Sequence, residues 1–316
     1  MNQVRIFEVG LRDGLQNEKQ NLSIEVRQAL LQKLIDAGLT HLEIGSFVSP
    51  KWVPAMACSE ELVSLSLKKQ SENKLPSATL FSVLVPNEKG LETALRLGVQ
   101  EIAIFASCSE TFSQKNTNCS IEESFQRLEP VTKLALSHKI KVRGYLSTCF
   151  GCPFEGAVSM NKIIENVNRM KDIGVYEVSL GDTIGLASAG DVEALLSQLL
   201  KLHHPNFLAG HFHDTRGQAL VNILKAYELG LRVFDSSIGG LGGCPYAPGA
   251  TGNVATEDIV YLFNSLGVET GVNLQKLIET NQWLSQLMGK TLPSRVSIAS
   301  HSTQSKNSTS TGSCFT

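Results

Sequence analysis

The chain has 316 residues, of which 42% are hydrophobic and 18% charged, with a formal net charge of −2. That balance supplies a core and argues against extended disorder, while the scattered lysines and arginines exclude a basic face for nucleic acid or a membrane surface, leaving a small molecule as the expected partner. No apolar run approaches membrane-spanning length, and Met1 leads almost at once into the strand-like VRIFEVG, so no membrane segment, signal peptide or transit peptide is expected and a cytoplasmic location follows.

Taken in chain order, strands are expected near residues 4, 41, 78, 101, 141, 177, 208 and 233, separated by stretches of helical periodicity such as 24 to 37, 121 to 138 and 158 to 172. Four passages repeat one grammar of helix, glycine stop, short connection and buried strand: AGLTHLEIG from 37, LGVQEIAIF from 97, IGVYEVSLG from 173 and LGLRVFDSS from 229. The glycine suits a helix C-cap, and the apolar run after it suits a strand covered on both faces. Eight alternations predict a (β/α)₈ TIM barrel over residues 1–266. The competing doubly wound sheet would carry a G-x-G-x-x-G turn after its first strand, and none is present.

A helix over 273–289 exceeds what eight units need, so residues 267–292 are expected to form a short C-terminal helical extension, as a cap or an interface. Residues 293–316, rich in Ser and Thr, are expected to be a mobile tail. The seven cysteines are an odd number spread over a long chain, which favours reduced thiols. Cys149 and Cys152 form a C-x-x-C with no second pair or histidine at zinc-finger spacing, so two packed thiols are expected there rather than structural zinc.

In such barrels the chemistry lies at the C-terminal ends of the strands. Those ends offer Arg12 and Asp13 after strand one, Glu43 in strand two, Asp182 at strand six, His211 and His213 at strand seven and Cys244 beyond strand eight. In GHFHDTRGQ the two histidines stand one residue apart, so on a strand they share a face. Two imidazole nitrogens, with a carboxylate oxygen from Asp13 on the neighbouring first unit, suit a divalent cation among Mg²⁺, Mn²⁺, Co²⁺ and Zn²⁺. Asn253, the first residue of NVATEDIVYLF, reads either as a helix N-cap or as a ligand, and its residue type favours the cap.

Arg12 brings a permanent charge for an oxygen that becomes negative during reaction, or else a structural pair with Asp13. Glu43 would orient that arginine, and Asp182 would support either the metal ligands or the hydrogen bonding of the barrel. The stretch GGLGGCPYAPGATGN, 239 to 253, has six glycines and two prolines, a composition for a moving lid that could deliver the Cys244 thiol to a substrate.

The passages EVGLRDGLQNE, SFVSPKWVP, GCPFEG, LGDTIG, HFHDTRGQALVN and GGLGGCPYAPGATGNVATEDIVY, spread over residues 8 to 261, resemble the motifs of the 3-hydroxy-3-methylglutaryl-coenzyme A lyase family. The resemblance implies a metal-dependent carbon–carbon lyase, using Mg²⁺ or Mn²⁺, that cleaves 3-hydroxy-3-methylglutaryl-CoA to acetyl-CoA and acetoacetate by a retro-Claisen reaction, in leucine degradation and ketone-body formation. It further implies Asp13, His211, His213 and Asn253 as metal ligands, which replaces the cap reading of Asn253. Arg12, Cys244 and Glu43 match functional positions, His211 and Asp13 are the candidate bases, Asp182 supports the site, and Lys19 and Ser46 lie near the substrate. The polar loop 107 to 120 suits part of the coenzyme A, and a homodimer is common in the family.

The nearest rival is a Claisen-condensing relative, an isopropylmalate or homocitrate synthase, which shares the H-x-H pair but carries a G-E-R-x-G-N pattern where this chain has GCPYAPGATGN. A catalytically silent barrel that binds acyl-CoA or metal would be expected to have lost a reacting group. Arg12, Asp13, His211, His213, Cys244 and Asn253 are all present.

Overall fold

Eight short apolar runs pair side by side in parallel and close on themselves: β1 (Arg5–Glu8), β2 (His41–Ser46), β3 (Leu80–Leu84), β4 (Glu101–Ser107), β5 (Lys141–Ser147), β6 (Glu177–Asp182), β7 (Leu208–Phe212) and β8 (Val233–Ser236), with β1 completing the ring against β8. The computed structural model describes residues 3–18, 20–243 and 252–300. Helices follow the strands in turn: α1 (Ile24–Asp36), α2 (Ser59–Ser71), α3 (Glu88–Leu97), α4 (Glu110–Thr117) with α5 (Ile121–Ser137), α6 (Met160–Asp172), α7 (Ala189–Leu199), α8 (Ala219–Glu228) and α9 (Thr256–Ser265). This is the expected (β/α)₈ barrel, with strands placed within two residues of the predicted positions.

The repeated glycines do what the sequence asks of them. Gly38, Gly98, Gly174 and Gly230 all have φ between 78° and 113°, the left-handed region that lets a chain leave a helix and re-enter the barrel. At the other helix ends, Ser23, Ser109, Ser120, Ser159 and Ser188 accept backbone N–H bonds as N-caps. Ile6, Leu42, Val83, Ile102, Val142, Val178 and Phe234 from the strands join Leu34, Val131, Val167, Leu195, Ile223 and Phe263 from the helices in one buried cluster. Burial of each such side chain is worth roughly 1.5–3 kcal/mol, so this cluster holds the barrel closed.

The extra helix, α10 (Leu274–Met288), packs against α1 and α9. It reaches the mouth through Asn281, which donates to Glu257 at 2.6 Å while Glu257 accepts from the Gly239 backbone at 2.8 Å. The extension therefore braces the start of the glycine-rich stretch. Part of the expected tail is anchored: Ser294 and Ser297 are buried, and Ser294 donates to Asp258 at 2.7 Å. Residues 301–316 lie outside the described residues.

One local expectation is corrected. Residues 107 to 120, read as a polar loop, contain α4, because Ser109 caps a run with helical spacing and buries Phe112. Cys149 and Cys152 are both buried and free, as expected: the Cys149 thiol donates to Leu146 O at 3.0 Å, and the Cys152 sulfur lies 2.9 Å from the Ser109 hydroxyl.

Candidate metal and active site

Glu8, the last residue of β1, sets up the segment that carries Arg12 and Asp13. Its buried carboxylate accepts from Gly10 N and Ile238 N, each at 2.9 Å, and from the Thr256 hydroxyl. The chain then makes a π-helical turn, Gly10–Gly14, that carries Arg12 and Asp13 into the mouth. Only glycine fits the ends of this turn: a Cβ on Gly10 would sit 2.5 Å from Glu8 and one on Gly14 2.6 Å from the Ser237 hydroxyl. Sequence reasoning missed Glu8, although a carboxylate inside a buried strand is a signal in itself, since such a group needs donors. Burial pushes its carboxyl up to about 7.

Arg12 is buried and spends its donors on two carboxylates, Nε on Glu43 at 2.5 Å and Nη1 on Asp13 at 2.6 Å, while its guanidinium lies over the Tyr145 ring. Glu43 thus orients the arginine, as the sequence suggested. Asp182 accepts the backbone N–H groups of Leu186 at 2.8 Å and Ala187 at 3.1 Å, so its direct work is to hold the connection between β6 and α7. Ser46 lines the same cavity and accepts from Val48 N at 3.3 Å. Lys19 and Cys244 lie outside the described residues, as does most of the expected lid; Gly243, just before Cys244, lines the cavity.

His211 and His213 do share a face, their ring centres 5.2 Å apart. One ligand atom from each of them and one from Asp13 lie within 4.8 Å of one another. Asn253 is not the N-cap of α9, a place taken by Ala255. Its backbone bridges to His213, and its side-chain amide donates to Asp13 at 2.7 Å and to Leu241 O at 3.2 Å. That pairing draws Asn253 into the carboxylate and imidazole cluster and away from the helix end.

The charges suit a cation. Burial alone would raise the Asp13 carboxyl, yet Arg12, the two imidazoles and the Asn253 hydrogen bond hold it well below the ordinary carboxylate range. Burial and the nearby His211 push His213 down to about 3, so it is a neutral imidazole, and its buried Nδ1 has no hydrogen-bond partner among the described residues. A carboxylate, a neutral imidazole with an unsatisfied nitrogen and a second imidazole are a fitting donor set for a divalent ion.

Below the cluster runs a second buried network. Asp235 from β8 lies 3.2 Å from His211 Nδ1, and it accepts from Ser179 at 2.6 Å and from Arg143 at 2.7 Å; Arg143 also donates to Glu177 at 2.7 Å. The sequence reading passed over these residues because it searched strand ends, whereas they sit on β5, β6 and β8 within the barrel. At the cluster opens a cavity of about 280 Å³, whose lining includes Arg12, Asp13, His211 and His213 together with the apolar Val48, Leu84, Phe105 and Phe112.

A closed (β/α)₈ barrel with a carboxylate and two imidazoles converging at the C-terminal ends of its strands defines the class of metal-site barrel enzymes. The HMGL-like family model matches residues 3–284, and the chain belongs to that family. It is 49% identical to the mitochondrial hydroxymethylglutaryl-CoA lyase of Macaca fascicularis over 94% of this chain and 89% of that one. Among solved structures it superimposes on the hydroxymethylglutaryl-CoA lyase of Pseudomonas aeruginosa with a TM-score of 0.90 at 46% identity, covering 96% of this chain and all of the other. It is also similar to an HMG-CoA lyase from Acenitobacter baumannii, solved in complex with coenzyme A and 3-methylmalate, with a TM-score of 0.87 at 34% identity over 94% and 95% of the two chains. Among the described residues no helix is long and apolar enough to cross a membrane.

Proposed function

We propose that the chain is a lyase that cleaves 3-hydroxy-3-methylglutaryl-CoA to acetyl-CoA and acetoacetate, with Mg²⁺ or Mn²⁺ held by Asp13, His211, His213 and Asn253. The observation that carries this reading is the convergence of Asp13, His211 and His213 beside Arg12 on one cavity, in a chain of the HMGL-like family. The condensing alternative is not favoured, since the relatives reported above are lyases by name.

When bound, the divalent ion supplies a Lewis acid that acidifies a tertiary hydroxyl and fixes its orientation. Asp13 and His211 are the candidate bases for the hydroxyl proton; with His211 Nε2 given to the ion, the proton passes to Asp13. As the carbon–carbon bond breaks, its electron pair moves into the departing acetyl-CoA enolate, and Arg12 faces the negative thioester oxygen with a charge pre-oriented by Glu43. Cys244 returns a proton to the enolate carbon, giving acetyl-CoA, while the other fragment leaves as acetoacetate. The apolar wall of Val48, Leu84, Phe105 and Phe112 receives the methyl side of the acyl group and excludes water. Ser46, on the cavity wall, and Lys19 are assigned to the coenzyme A part of the substrate.

Incubation with 3-hydroxy-3-methylglutaryl-CoA and Mg²⁺ should give equal amounts of acetyl-CoA and acetoacetate by mass spectrometry. Consumption of acetyl-CoA with a 2-oxo acid, and no cleavage, would assign a condensing enzyme instead. The expected homodimer and cytoplasmic location belong to the same proposal, and a monomer mass in sedimentation would remove the former.

A further inference from the structure

Arg143 is the largest fully buried side chain among the described residues, and nothing in the cleavage chemistry calls for an arginine there. Its planar head lies over Phe7 at 4.1 Å and Tyr145 at 4.9 Å. Nη2 donates to Asp235 Oδ1 and Nε to Glu177 Oε1, and Glu177 also meets Arg5 at the far end of the barrel. A chain of charged groups therefore runs from the floor, through Arg5, Glu177, Arg143 and Asp235, to His211. Burying so many charges is costly unless each has a geometric task, and ion pairs of this kind are weak evidence for stability alone.

We infer that Asp235, held by Arg143 and Ser179, is a positioning residue that fixes the tautomer of His211 and so sets the metal affinity of the site. The inference rests on the reading of His211 as a ligand. Arg143, which has donors only, holds Asp235 Oδ1 at 2.7 Å and reaches Oδ2 at 3.4 Å, and Oδ2 also accepts from Ser179 at 2.6 Å and faces His211 Nδ1 at 3.2 Å. A carboxylate oxygen there can only accept, which places the single proton of the neutral His211 ring on Nδ1 and so leaves the Nε2 lone pair for the cluster. His211 and a carboxylate behind it thus form the arrangement that tunes metal-bound imidazoles generally.

Asp235→Asn tests the inference because it preserves shape and inverts one donor. With its oxygen kept toward Arg143, the new amide would present N–H to His211 Nδ1 and shift the ring proton to Nε2, blocking the ligand position. We expect ¹⁵N spectra of histidine-labelled, metal-free protein to show Nδ1 protonation for His211 in the parent and Nε2 protonation in Asp235→Asn, with Mn²⁺ binding by electron paramagnetic resonance weakened roughly 10- to 100-fold. An unchanged tautomer, or unchanged Mn²⁺ affinity, would overturn the inference.

His211→Ala separates that failure from failure of the ligand reading. If it weakens Mn²⁺ binding while Asp235→Asn does not, only the positioning role is lost; if it leaves Mn²⁺ binding intact, His211 is no ligand and both claims fall. Should Asp235→Asn not fold, Ser179→Ala carries the test by removing one of the bonds that hold Oδ2 in place: a mixed His211 tautomer with several-fold weaker Mn²⁺ binding supports the role, and parent values for both overturn it.

Discussion

Arg12→Lys keeps the charge and removes the fork, and the geometry says how much that should cost. Arg12 bonds Glu43 at 2.5 Å and Asp13 at 2.6 Å from two different nitrogens and still lines the cavity. A lysine ammonium is one centre on a flexible stem, so it can sit on Glu43, on Asp13 or toward the substrate, but it cannot serve all three. Losing one charge-assisted bond costs about 1.5–3 kcal/mol, and loss of a donor aimed at a developing oxyanion costs about 3–4 kcal/mol of transition-state stabilisation, or about 100- to 1000-fold in kcat. Glu43→Gln, which leaves Arg12 in place and weakens only its anchor, should cost about tenfold, near the 1.4 kcal/mol expected for one weakened bond. The assay is the initial rate of acetoacetate release at saturating substrate and metal, with circular dichroism confirming the fold. A kcat for Arg12→Lys within about threefold of the parent, or a larger loss in Glu43→Gln, would refute the assignment of Arg12 to the enolate oxygen.

Three further outcomes are expected. His213→Ala should lower Mn²⁺ affinity before it alters the fold, measured by equilibrium dialysis, and parent affinity would remove His213 from the ligand set. Cys244→Ser should cut turnover by about 10²- to 10⁴-fold with metal content intact by atomic absorption, and near-parent turnover would end its role as proton donor. At the floor of the barrel, burial pushes the Glu101 carboxyl from 4.5 up to about 7 in spite of a hydrogen bond from Tyr176. The folded state thus keeps a proton that the unfolded chain has lost: the contribution is fully present below pH 4.5 and is lost as pH rises through 7, about 3 kcal/mol at 1.36 kcal/mol per pH unit. Urea midpoints of parent and Glu101→Gln should therefore diverge between pH 5 and pH 8, in favour of Glu101→Gln at the higher pH, and a parallel displacement would contradict the assignment.

The fold was legible because the same local chemistry recurs. Gly38, Gly98, Gly174 and Gly230 end helices with positive φ, and an apolar run follows each, so periodicity and punctuation point to one architecture. The pairing of His211 and His213 was legible for the same reason, since strand alternation alone puts them on one face. Asn253 misled because asparagine before a helix is a good cap; only barrel closure, which brings Asp13 within 2.7 Å of its amide, gives it another partner. Glu8, Arg143, Ser179 and Asp235 escaped because their significance lies in who meets whom across strands. A sequence displays Asp235 merely as a polar residue in a buried run, while the fold sets it beside His211, Ser179 and Arg143 together.

The central claim is that the Asp13, His211 and His213 cluster holds the ion on which cleavage of 3-hydroxy-3-methylglutaryl-CoA depends. Acetoacetate release should vanish when the protein is stripped with a chelator and return on titration with Mn²⁺, in step with occupancy of one site per chain that is weakened in His211→Ala and His213→Ala. Full release from the stripped protein, or activity that returns without filling that site, would contradict the account.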